Sequence, residues 1–133
     1  MRLLFLLLIT HLVSSAELPE DSWLQLITAG QQLQLHGSYA EAELSFQSAT
    51  DLAPTPVAKA RSMNYLGLVK QIRGDYPAAE ALYGDAMRIC EQHPAPLDMA
   101  AILLNQARLY RIESKFEAAG ALCRKALFTT SRG

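Results

Sequence analysis

A five-residue signature returns three times along this chain at an almost constant interval. It reads Gly37, Tyr39, Ala42, Phe46, Ala49, then Gly74, Tyr76, Ala79, Tyr83, Ala86, then Ser114, Phe116, Ala119, Cys123, Ala126, with offsets of two, five, nine and twelve in every copy. The turn position moves from Gly37 to Gly74 to Ser114, intervals of 37 and 40 residues. A period of this size marks an architecture in which each unit is one supersecondary element and stacking buries the apolar faces. The register drifts only between copies. An insertion in a connector leaves a helix pair intact, whereas one inside the signature would rotate its packing face.

The residues between the signatures define the units. Leu26, Ala29, Gly30 and Leu33 line one helical face and predict a helix over 23–36. Gly37 ends it, since glycine takes the left-handed conformation without a Cβ clash. A second helix is expected over 39–52, with Ser38 as N-cap and Glu41 completing a capping box. So short a link makes the two helices antiparallel. Ala42 and Ala49 are small where they cross, and Tyr39 and Phe46 fill the space beside them, each contributing about 1.5–3 kcal/mol when fully buried. Pro54-Thr55-Pro56 and Pro94-Ala95-Pro96 are connectors, because proline stops one helix and is accepted in the first turn of the next. The second unit is expected over 57–73 and 75–92 with Asp75 as N-cap, and the third over 97–113 and 115–128. The units thus cover about 23–53, 57–93 and 97–128 of a repeat domain spanning 17–133.

Residues 1–16 stand apart. Met1 and Arg2 make a basic start, Leu3 to Val13 is apolar except for Thr10 and His11, and Ser14-Ser15-Ala16 offers a cleavage site. The order is that of a secretory signal cleaved near Ala16, with export to a periplasm or the exterior as the expected localisation. An uncleaved short anchor and an apolar N-terminal helix of a cytoplasmic protein are the alternatives. Eleven residues at 1.5 Å each reach only about half of a bilayer core, so no stable membrane span is expected. Twelve Lys and Arg balance thirteen Asp and Glu, which gives no field to draw nucleic acid.

The signatures and their flanks resemble tetratricopeptide repeats, with small residues at two helix crossings and an aromatic after the turn. The likeness covers about Trp23 to Phe128. The longer interval, and the stretch Leu103-Leu104-Asn105-Gln106-Ala107-Arg108-Leu109-Tyr110 before the third turn, are similar to the kinesin-light-chain type. The resemblance implies an all-α, right-handed superhelical solenoid of three antiparallel helix pairs. Several positions depart from the pattern: Lys70 stands where the other units have Leu33 and Tyr110, Gln106 replaces Ala29 and Leu66, Ser114 replaces the turn glycine, and Cys123 replaces an aromatic. Gly84 and Gly120 weaken their helices by about 1 kcal/mol each. Lys70 is expected to snorkel along its stem, and the third unit to be the weakest.

Motifs for catalysis are missing: the sequence holds no GxSxG, HExxH, P-loop or GxGxxG. A non-enzymatic protein without cofactor or metal is expected. His36 and His93 each end a helix, where the dipole favours an imidazole. Cys90 and Cys123 lie inside expected helices and are read as buried free thiols.

The resemblance implies that the first helix of each pair lines a concave groove that binds a peptide or partner protein. Register places Leu24, Ile27, Thr28, Gln31 and Gln34 there from the first unit, Arg61, Asn64, Tyr65, Leu68 and Gln71 from the second, and Ala101, Leu104, Asn105, Arg108 and Arg111 from the third. Of these, Gln31, Gln34, Arg61, Asn64, Leu68, Gln71, Asn105, Arg108 and Arg111 are the candidate contacts. The arginines suit carboxylates, and Asn64 and Asn105 suit a peptide backbone. The alternatives are the N-terminal repeat region of a larger enzyme or signalling protein, and self-association through the third repeat.

Overall fold

The computed structural model describes residues 19–132, with side chains from Ser22 onward, so the signal expected over 1–16 lies outside the described residues. Among the described residues six helices follow one another without a strand: α1 (Pro19–Leu35), α2 (Tyr39–Leu52), α3 (Pro56–Ile72), α4 (Tyr76–Gln92), α5 (Pro96–Ile112) and α6 (Phe116–Ser131). The pairs α1/α2, α3/α4 and α5/α6 pack most closely. They stack through α2 on α3 and α4 on α5, and α3 also touches α5. The result is an all-α, tetratricopeptide-like solenoid.

The ends of the helices follow local chemistry. Three turns close alike, as Ser38, Asp75 and Lys115 donate their backbone N–H to the carbonyls of Leu33, Lys70 and Tyr110 at 2.9, 2.9 and 2.7 Å. The residue before each is left-handed: Gly37 at φ 78°, Gly74 at 85° and Ser114 at 63°. Two glycines adopt this freely, but the Cβ of Ser114 makes it cost about 1 kcal/mol. Pro56 and Pro96 open α3 and α5, and Thr55 Oγ1 accepts from the Ala58 N–H at 3.1 Å. Asp75 caps α4 by accepting from the Ala78 N–H at 3.3 Å.

Two expectations about helix starts are corrected. The first helix begins at Pro19 rather than Trp23, because proline is suited to a first turn. Ser38 makes no side-chain cap bond, so the box with Glu41 is not formed; at φ −82° and ψ 64° its backbone carbonyl accepts from the Ala42 N–H instead.

Each of the first two pairs is locked where an aromatic ring lies flat against a glycine. A Cβ on Gly30 would come within 2.5 Å of Phe46 Cε1, and one on Gly67 within 2.7 Å of Tyr83 Cε1. Both rings are fully buried. Phe46 centres a cluster with Ile27, Ala42, Ala49, Leu66 and Val69. Tyr83 belongs to a second cluster that runs through Met87, Cys90, Ile102, Leu103 and Leu109 into the third pair. The aromatics just after the turns do less than expected: Tyr39 is 36% exposed and Phe116 65%. In the third pair the glycine and ring are replaced by Ala107 and Cys123, and α6 buries only Ala119 and Ala126.

This packing predicts three urea-unfolding results. Ser114→Gly stabilises the protein by about 1 kcal/mol, because it removes the left-handed strain. Gly67→Ala destabilises it by roughly 1–3 kcal/mol through the clash with Tyr83. Gly84→Ala, where the nearest atom is the mobile guanidinium of Arg88 at 4.0 Å, stabilises by about 0.5–1 kcal/mol. Equal shifts for the two alanine variants would show that helix propensity, not ring contact, governs Gly67.

Candidate partner-binding face

The polar residues of α1, α3 and α5 are used first to join one unit to the next. Trp23 Nε1 donates to Ser62 Oγ at 2.7 Å, and Gln31 Nε2 to the Tyr65 hydroxyl at 3.0 Å. Tyr65 in turn stacks on Phe46, with ring centroids 5.2 Å apart and planes 12° apart. Between the second and third units Asn105 Nδ2 donates to Asn64 Oδ1 at 2.9 Å. Arg61 grips Asp98 with both Nε and Nη2, at 2.8 and 3.1 Å. This fork geometry holds the guanidinium firmly, and the Asp98 carboxylate pushes the Arg61 pKa further up.

The expected contact residues therefore separate into groups. Gln31, Asn64 and Asn105 are half-buried joints between helices, with part of their hydrogen-bonding capacity already used. Arg61 keeps 46% side-chain exposure but is neutralised by Asp98. Gln71 faces inward: it is buried, and its Oε1 accepts from the Tyr83 hydroxyl at 2.9 Å. The bond follows from Tyr83 lying under α3, and it leaves Gln71 unable to contact a partner. Gln34 and Leu68 are half-buried. Ile27, placed on the same face by register, is in the core at 4% exposure.

Arg108 and Arg111 differ from all of these. Both are exposed, one turn apart on α5, and among the described residues neither is in an ion pair. They flank an apolar cleft of about 410 Å³ between α5 and α6, lined by Leu104, Ala107, Phe116, Ala119, Gly120 and Cys123. Arg108 also acts on Tyr83, whose hydroxyl pKa is pushed up by burial and partly drawn back by that positive charge. Register comparison explains the cleft: Ala107 and Cys123 occupy the places that Gly30 with Phe46 and Gly67 with Tyr83 fill with a ring. That pairing was visible in the sequence as a constant separation of 16 residues, shared by Gly30/Phe46, Gly67/Tyr83 and Ala107/Cys123.

The other titratable groups serve structure. Cys90 is buried and its thiol pKa is pushed up, chiefly by desolvation, so it stays protonated. Cys123 is free and, against expectation, exposed, since no following helix covers it among the described residues. Lys70 is fixed by an ion pair: its Nζ lies 2.5 Å from Glu43 Oε1, and Arg73 Nη1 lies 2.5 Å from Glu43 Oε2. This triad ties α3 back to α2. Among the described residues no three His, Cys, Asp or Glu side chains gather as a metal set, and no helix is long and apolar enough to cross a membrane.

A family model described as "Tetratricopeptide repeat" matches residues 60–93, which is most of the second helix pair. The match supports the tetratricopeptide-repeat family for this chain and falls on one of the two units that have both the glycine–aromatic lock and the glycine turn. No curated protein matches the chain.

The Glu43 triad predicts a pH dependence. Hydrogen bonding from Lys70, joined by Arg73 and opposed by partial burial, holds the Glu43 pKa below its ordinary value of 4.5. Its stabilisation is then complete above that value and is lost as pH falls through the depressed folded pKa. Glu43→Gln is expected to destabilise by about 1 kcal/mol at pH 7. The difference shrinks in high salt and as pH falls below 4.5, which paired urea titrations at several pH values measure.

Proposed function

We propose that this protein is a non-catalytic interaction module which holds a peptide or an extended segment of a partner protein against the face formed by α5 and its neighbours. The observation that carries the reading is the exposed, unpaired arginine couple Arg108 and Arg111. Lys70, Arg61, Arg73 and Arg88 are all matched to acidic side chains, while these two are not. Two guanidiniums one turn apart suit carboxylates, which they can bind through paired hydrogen bonds. The tetratricopeptide match supports the class, because such repeats generally mediate protein–protein interaction and are typically non-catalytic. The kinesin-light-chain-like subtype is part of the same reading and rests on the 103–110 stretch and the long intervals.

Arg61, Asn64, Leu68, Asn105, Gln31 and Gln34 are secondary contacts in this proposal, with the arginine pair as the anchor. We also propose export after cleavage near Ala16, on the order of basic, apolar and small residues in 1–16. N-terminal sequencing of secreted material tests it: a start at Glu17 supports export, and an intact Met1 on cytoplasmic protein rejects it.

The binding reading predicts the outcome of charge reversal. Arg108→Glu combined with Arg111→Glu leaves the helical circular dichroism unchanged, because neither side chain is buried. The same double variant loses capture of an acidic peptide library by at least roughly a hundredfold, as two attractive contacts become repulsive. Equal capture by the variant would remove the arginine pair from the binding site.

A further inference from the structure

The balanced net charge hides a gradient along the array. Over 17–53 the sequence holds six Asp and Glu and no Lys or Arg, whereas over 97–133 it holds six Lys and Arg against three Asp and Glu. The chain is acidic at its first unit and basic at its third. The second unit stands between them, at about 8–10 Å for each helix layer, and a screening length of about 8 Å at physiological salt keeps one end from cancelling the other.

The outward side of α6 collects this charge beside apolar groups. Counted from the turns, Gln47, Ser48 and Asp51 of α2 correspond to Gly84, Asp85 and Arg88 of α4 and to Arg124, Lys125 and Phe128 of α6. The first two units satisfy this face internally: Gln47 Nε2 donates to Asp51 Oδ1 at 3.2 Å, and Arg88 pairs with Asp85. The third does not. Arg124, Lys125 and Arg132 are exposed, none is in an ion pair among the described residues, and Glu117, the one acid of α6, lies two turns from Arg124. Phe128 is 58% exposed and Leu127 71%, with the Arg132 guanidinium carbon 4.4 Å from the centroid of the Phe128 ring. Asp51 and Arg88 are exposed at the position of Phe128, so this ring stands on the solvent side of the array and not where a following helix would pack.

A leucine and a phenylalanine set among three free cations suit a surface that is anionic outside and apolar beneath. A second copy suits them less. Two α6 faces would bring like charges together, and the open side of α1 offers mainly Gln25, Thr28, Ala29 and Gln32. We propose that the outer face of α6 docks this protein on an anionic lipid bilayer, with Leu127 and Phe128 seated at the headgroup boundary and Arg124, Lys125 and Arg132 on the lipid phosphates. The charge gradient orients the array, third unit toward the membrane and acidic first unit away from it. Arg108 and Arg111 are not needed for this contact, which therefore stands apart from the peptide-binding reading.

The test places a reporter on that face of the whole chain. In a Cys123→Ser background, Ala121→Cys is labelled with an environment-sensitive nitrobenzoxadiazole dye, while the buried Cys90 stays unlabelled. Ala121 is exposed and lies two turns before Phe128. The labelled chain is titrated with vesicles of phosphatidylcholine alone and of equal parts phosphatidylcholine and phosphatidylglycerol. Dye emission is expected to shift to the blue with the anionic vesicles only, and less so as salt is raised. Arg124→Glu with Lys125→Glu raises the lipid concentration required by at least roughly tenfold, since each cation near such a surface contributes about a factor of five. Phe128→Ser raises it by roughly fivefold, for partial burial of the ring. Both variants keep the urea midpoint of the labelled parent, because the altered side chains are exposed. Gln25→Glu, Gln32→Glu and Lys59→Glu together make the same change in net charge toward the other end of the array and leave the titration nearly as it was. An equal loss in that control overturns the proposal, as does an equal response to neutral vesicles or a dye unmoved by either kind. A blue shift without lipid that grows with protein concentration, alongside a mass increase by light scattering, makes a second copy the occupant and also overturns it.

Discussion

The contact between an aromatic ring and a glycine backbone sets the geometry of the array. Phe46 on Gly30 and Tyr83 on Gly67 let two helices approach more closely than any Cβ would permit. That approach fixes where the faces of the helices point. Tyr65 can then stack on Phe46, and Gln71 can accept from Tyr83. Dispersion and burial supply the energy, since each ring leaves water entirely. The hydrogen bonds around the rings supply orientation, because a tyrosine hydroxyl taken out of water needs a partner.

A second level of order runs along the first helices. Trp23 reaches Ser62, Gln31 reaches Tyr65, Arg61 reaches Asp98 and Asn64 reaches Asn105, across separations of 39, 34, 37 and 41 residues. These separations are close to the repeat interval itself. Each bond therefore links related positions of successive units, as expected where stability is a sum of unit and nearest-neighbour terms. The Glu43 triad adds a charged joint between α2 and the C-terminal end of α3.

This ladder explains what could and could not be seen in the sequence. Helix number, turns and proline-opened starts were legible, because they depend on residues a few positions apart: Gly37, Gly74, Asp75, Pro56 and Pro96 act locally. The site was legible only in part. Periodicity placed Gln31, Asn64, Gln71 and Arg61 on one face, but whether each polar side chain is free depends on a partner in another helix, 12 positions away for Gln71 and 34 to 41 for the others. Asp98 was the unseen partner of Arg61, and Tyr83 of Gln71. Arg108 and Arg111 stood out as exposed arginines on the expected face, yet the cleft between them and Cys123 required reading the glycine and the aromatic as one coupled pair. Ser38 shows the same limit on a smaller scale: residue type suggested a capping box and the surrounding backbone decided otherwise, while the pairing of Lys70 with Glu43 depends on a residue of another helix.

The departures in the third unit all bear on one place. Ser114 holds a left-handed turn at φ 63°, Gly120 lies within α6, and Cys123 puts no ring against Ala107. Each lowers the intrinsic stability of α6, which buries only Ala119 and Ala126. In a nearest-neighbour array such losses stay local, so α5 remains anchored through Ile102, Leu103 and Leu109 while α6 adds only Ala126, with Leu122 half-buried, to that cluster. A ligand seated between the two would supply contacts that α6 lacks and stabilise it by mass action. Weak packing and the open cleft then have a common origin: with Cys123 in place of a ring and no following helix over it among the described residues, the surface between α5 and α6 stays uncovered.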